Sequence, residues 1–197
     1  MSVAIRSNFE ITWFRIAVEH ERDALAARRT AEQAAESDRG DAFDAELRGT
    51  MVAVAAAAFA VDALHLTIND LLEEGLRSSA GGDGRIVETL KIALELGPRT
   101  QDWQRRVPEL FGRRGELVHF RGKDRPPLPH PTGLSHVSTE SATFNADLAR
   151  GSVDLALEVL TVAYTSVRPK HAGVLAWALQ NAHVPEYLAR VRRGESS

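Results

Sequence analysis

MVAVAAAAFAVDALHL, residues 51–66, is the longest apolar run in the chain, and the architecture turns on what it is. It is rich in alanine, shorter than the ~20 apolar residues that cross a bilayer, and interrupted by Asp62 and His65. It therefore reads as a core helix and not as a membrane span. No alternation of apolar and polar residues suggests a strand.

Working outward, the run extends into a helix from about Asp41 to Leu76. Before it, residues 3–36 place apolar side chains at three- and four-residue steps and form a long first helix. After it, SSAGGDG (78–84) is a connector, and RIVETLKIALELG is a third helix closed by Gly97 and Pro98. A fourth helix begins near Thr100 and runs through His119, with Pro108 kinking it or starting a new helix. RGKDRPPLPHPTGLSH (121–136) is too rich in proline for regular structure and reads as a long loop. A fifth helix spans about 139–167. Two shorter ones follow, broken near Pro185, and the sequence ends in RVRRGESS.

The expected class is all-α: an up-and-down helical bundle of about four or five core helices plus short C-terminal helices. With 197 residues, one domain is the simplest organisation. The bundle would occupy 1–167, and 168–197 would be a helical extension packed on it.

Composition narrows the function classes. The chain is 44% apolar and 26% charged, which is the balance of a folded domain and not of a disordered one. It has no cysteine, so disulfides, thiolate metal sites and cysteine nucleophiles are excluded, in keeping with a reducing, cytoplasmic setting. MSVAIRSNFEITWF lacks the pattern of a secretory leader and reads as the start of the first helix. The net charge of −3 argues against a protein that coats nucleic acid without selectivity. Residues 99–125 depart from that average, with eight Lys or Arg against four acids.

Inside this basic block lies FGRRGELVHF, residues 111–120. On a helical period Val107, Leu110, Phe111, Leu117 and Val118 form an apolar stripe, and Arg114 falls in its middle. A cation there must snorkel, pair with an acid, or face a cleft or a partner chain. His119 lies about 140° around the helix from Arg114, so one straight helix does not bring the two together. Loosening at Gly112 and Gly115, or a two-fold dimer in which one copy's histidine approaches the other's arginine, would do so.

An arginine, four to six residues and a histidine near the end of a bundle helix resembles the signature of the HEPN superfamily. Arg114-Gly-Glu-Leu-Val-His119 matches with four intervening residues, and Arg113 offers a match with five. The apolar helix carrying an acid (FAVDALHLTIND) and the loop after the histidine agree with it. The resemblance covers about 45–165. It implies a four- or five-helix core that dimerises with paired motifs across a cleft, and often metal-independent RNA cleavage of the toxin–antitoxin or phage-defence kind. Gly115 stands where such proteins usually carry a polar residue.

Metal-free RNA cleavage needs an acid or base working near neutral pH, which His119 supplies, and a cation for charge developing on phosphoryl oxygens, which Arg114 supplies. The resemblance adds the ribose 2′-hydroxyl as nucleophile and a cyclic phosphate product. Asp62, His65 and Asn69 thread a polar line along the alanine-rich helix, with Asp62 the natural orienter of Arg114. The bland alternative is a structural Arg114–acid pair and a histidine lining a helix end.

Glu116 is one turn from both Arg113 and His119. It either orients the imidazole or pairs with Arg113 on a solvated face, the latter preferred. Arg121, Lys123 and Arg125 are candidate phosphate contacts. His130 and His136 lack the companions of a metal site and read as loop residues. Trp13, Trp103 and Trp177 belong to the core or a dimer seam.

No cofactor or metal is expected, and no membrane. The expected partners are a second copy of the chain, an RNA substrate and an antitoxin protein. The reading from a different class is a non-catalytic helical module that binds a nucleotide, RNA or a partner protein in the same cleft.

Overall fold

The computed structural model describes residues 8–78, 81, 82, 84–96, 102–118, 126–165 and 171–195. Among them are eight α-helices and one two-stranded hairpin, so the all-α class holds. The helices are α1 (Phe9–Gln33), α2 (Arg39–Leu71), α3 (Gly84–Leu94), α4 (Asp102–Val118), α5 (Thr139–Thr143), α6 (Ala146–Thr165), α7 (Ala172–Gln180) and α8 (Val184–Arg193).

α2 is the spine, about 50 Å long at 1.5 Å per residue. It packs on α1 and α6 and also meets α3, α4, α5 and α7. By length and composition the helical stretch Glu36–Leu71 is apolar enough to cross a membrane, and 56% of its most apolar window is buried inside the bundle. Its alanines explain the close α1–α2 packing: Ala53, Ala56, Ala57, Ala58 and Ala60 are all buried. At Gly49 a side chain is excluded, because a Cβ would lie 2.9 Å from the Ala24 amide and 3.0 Å from the His20 carbonyl oxygen. α1 answers with Phe14, Ala17, Val18, Ala24 and Ala31 at helical spacing.

Two expectations are corrected and one alternative is settled. The 139–167 helix is two helices, since Phe144 and Asn145 interrupt it. The Asn145 side chain begins α6 afresh by accepting from the amides of Asp147 and Leu148 at 3.0 and 3.4 Å. The 121–136 loop contains regular structure: β1 (Leu128–Pro129) pairs antiparallel with β2 (His136–Val137) around Gly133, whose φ of 72° suits a glycine. Of the two readings of Pro108, a new helix is excluded, because α4 runs through it.

The C-terminal helices are tied to the bundle by polar bonds as well as packing. The Tyr164 hydroxyl donates to buried Glu10 at 2.6 Å, and its ring stacks on Trp177 with centroids 4.5 Å apart. Burial and the Glu10 carboxylate push the Tyr164 pKa far up, so this hydroxyl keeps its proton. From α8, Arg192 donates to Glu21 of α1 and, at 2.8 Å, to Asp154 of α6.

Candidate functional site

Arg114 is held between two aromatic rings. α4 places Phe111 one turn before it, and α2 brings Phe59 to the other side; the guanidinium carbon is 4.9 Å from the first ring centroid and 5.4 Å from the second. Trp13 of α1 packs on Phe59 in turn, with ring centroids 4.9 Å apart and planes tilted by 37°. Asp62, one turn after Phe59, has Oδ2 4.0 Å from Arg114 Nη1. That is an ion pair without a hydrogen bond. The cation is 29% exposed and the carboxylate 35%. Two rings thus lie against a guanidinium whose N–H groups have no hydrogen-bond acceptor among the described residues.

The stripe is as expected at Val107, Leu110 and Phe111, all buried, and at Leu117, which packs partly buried on the core, but not at Val118, which is 72% exposed. Arg114, expected in the middle of the stripe, is partly exposed, at 29%. Arg113, one residue back, donates to Glu116 at 2.9 Å, and both side chains are exposed, as the preferred reading of Glu116 had it.

Asp62 has a second neighbour. His65 Nδ1 is 3.9 Å from its Oδ1, the imidazole is 1% exposed, and neither ring nitrogen has a hydrogen-bond partner among the described residues. Burial, and then the charge of Arg85, push the His65 pKa below the ordinary value, while Asp62 opposes them. Asn69, further along the same helix, makes no hydrogen bond to Arg114. His119, Arg121, Lys123 and Arg125 lie outside the described residues.

Beside Arg114 runs a groove of about 490 Å³ lined by Phe9, Trp13, Phe59 and Leu66, with Asp62 and Asp70 on its edges. Phe9 and Leu66 are more than half exposed. The alanine-rich stretch therefore has one outward face carrying Val52, Phe59 and Leu66 at seven-residue steps, all exposed. This apolar face was missed in the sequence, although Phe59 is the one aromatic in the run.

A second polar cluster lies at the other end of α2. Glu46, 1% exposed, accepts from Arg28 Nε at 2.9 Å and from the Ala146 amide at 2.8 Å. Arg28 also donates to Asp147 at 2.8 Å and to Asn145 at 3.2 Å. His130, read as an ordinary loop residue, is instead buried at 2% exposure, with Nε2 3.4 Å from Glu46 Oε2. Sequence offered one signal for this cluster, an acid at Glu46 in phase with the buried Phe43 and Thr50. Among the described residues no group of three or more His, Asp or Glu side chains is placed to hold a metal ion.

No family model matches the chain, and neither does any curated protein or solved structure. The class defined by fold and site is an all-α bundle with an aromatic-clamped surface arginine.

Proposed function

We propose that this is a HEPN-like, metal-independent endoribonuclease of the toxin–antitoxin or phage-defence type, acting in the cytoplasm as a homodimer with a composite Arg114/His119 site. The observation that carries the proposal is the Arg114 guanidinium, oriented by Phe59 and Phe111 and left with unused donors beside an open groove. A planar cation of this kind suits two phosphoryl oxygens at once. Asp62 biases its direction without occupying its N–H groups.

In this reading two copies approach through the face that bears Phe59 and Leu66, which sets their Arg114 groups on opposite walls of a single cleft. His119 takes the proton from the ribose 2′-hydroxyl or delivers one to the leaving oxygen. Arg114 stabilises the charge that grows on the phosphoryl group between these steps. Arg121, Lys123 and Arg125 follow the motif directly in sequence and supply phosphate contacts.

The test is incubation of the purified protein with total RNA in EDTA, beside Arg114→Ala and His119→Ala. Cleavage by the wild type alone supports the enzyme, and no cleavage, or equal cleavage by all three, refutes it. The exposed apolar groove with two carboxylates on its edges favours one other reading. That reading is a non-catalytic module that binds RNA, a nucleotide or a partner protein such as an antitoxin.

A further inference from the structure

The β1–β2 hairpin is attached to the bundle in an unusual way. Of residues 126–140 only His130 is buried. Its ring packs on Phe43 of α2 with centroids 4.3 Å apart. The remaining attachments are slight: half-buried Val137 on the Ala31, Ala42 and Phe43 cluster, and a 3.1 Å bond from Arg39 to the Leu134 carbonyl. Where a strap would ordinarily be anchored by an aliphatic side chain, this one is anchored by an imidazole.

The hydrogen bonds identify its protonation state. The Thr132 amide donates to His130 Nδ1 at 3.3 Å, so Nδ1 is an acceptor and the ring proton sits on Nε2; Glu46 Oε2 lies 3.4 Å from Nε2, with no hydrogen bond between them. A second proton must therefore go onto Nδ1. It would leave the Thr132 amide without its acceptor, although the Thr132 hydroxyl, 3.0 Å from Nδ1, can turn to receive the new N–H. It would also place a full charge in an enclosed seat.

We propose that the hairpin is a proton-released strap: it is docked on α2 while His130 is neutral, and it lets go when His130 takes a second proton. Release removes one wall of the cavity of about 730 Å³ that lies between the hairpin and Arg39, Phe43 and Asp44, and exposes those α2 residues. The groups facing the imidazole do not reverse this sense. Desolvation is the largest influence and opposes the charge; Arg28 opposes it too, while Glu46, Asp147 and Glu32 favour it, and the balance depresses the His130 pKa. Glu46 itself is tied to Arg28 and the Ala146 amide, which keeps it in place when the histidine departs.

Hydrogen exchange read by mass spectrometry, at about pH 7.5 and about pH 5.5 and corrected for intrinsic rates, tests this. Peptides covering 126–137 should exchange faster in acid, by about ten-fold for each unit by which docking depresses the His130 pKa, while α1, α2 and α6 keep their protection. His130→Gln, which cannot titrate, should abolish the acid response. Uniform loosening, no change, or the same response in His130→Gln would overturn the proposal. Should that variant not fold, NMR titration of the wild type decides. An imidazole signal moving together with the hairpin amides supports release, and one that titrates while those amides stay fixed refutes it.

Discussion

Arg28 and Arg114 each meet a carboxylate of α2, and the two meetings are built to opposite ends. Arg28 donates through Nε and both terminal nitrogens to Glu46, Asp147 and Asn145, with its side chain 13% exposed and Glu46 sealed. Arg114 meets Asp62 only at 4.0 Å and is positioned by rings instead of acceptors. The first site joins α1, α2 and the start of α6. The second holds a cation for which the described residues supply no hydrogen-bond acceptor. A cation whose donors are all satisfied stabilises structure, and one that is clamped but unsatisfied is available for a ligand.

The sharpest way to break this contrast is at the buried end. Glu46→Gln removes the charge that compensates Arg28 and faces His130, and it should cost about 3 kcal/mol, the range seen when one member of a buried pair is lost. Urea denaturation of variant and wild type measures it. A loss below about 1 kcal/mol would mean that Asp147 alone can hold Arg28 and that the cluster is not the structural site described.

Gly49→Ala comes next. The added methyl meets backbone atoms of α1, not the movable end of a side chain, so the helices must separate, at about 1–3 kcal/mol. Arg28 and Glu46 face each other across the same helix pair, so a separation there should also loosen their hydrogen bonds.

Acid should separate the two regions too. The pKa values of His65, near Arg114, and of His130, at the Glu46 cluster, are both lowered by burial. The unfolded chain then binds more protons than the folded one below the ordinary imidazole value of 6.5. Stability is therefore complete above that pH and declines as the pH falls from it toward the depressed folded values. The loss is about 1.4 kcal/mol for each unit of depression. Urea midpoints taken across this window for wild type, His65→Gln and His130→Gln apportion the loss. If neither variant flattens the profile, the burial assigned to these two rings is not what governs the acid limb.

How much of this was legible follows from what each feature depends on. The helices were, because their apolar residues recur along one local stretch, and Arg114 stood out because it breaks the phase of α4. The Arg113–Glu116 pair was legible for the same reason, being one turn apart. The α5–α6 break was not: apolar spacing carries on across it, and only the cap at Asn145 marks the new start. The hairpin was obscured by its prolines. The Glu46 cluster was hidden because Arg28, His130 and Asp147 come from separate parts of the chain, and nothing local announces their meeting.

The smallest stability change is expected at Arg114, and there it is the smallness that matters. Arg114→Ala removes a cation stacked on two rings, worth about 0.5–1 kcal/mol at a partly exposed position. It strands nothing, since Asp62 is itself about one-third exposed and water can take over its solvation. The urea midpoint should therefore barely move, whereas RNA cleavage in EDTA should fall to background. Arg114→Lys should fail to restore it, because an ammonium neither stacks between Phe59 and Phe111 nor offers a planar pair of donors. A loss of stability as large as that of Glu46→Gln would make Arg114 a second structural cation. The two ends of α2 would then differ only in burial, and the chemistry proposed for the groove would lose its ground.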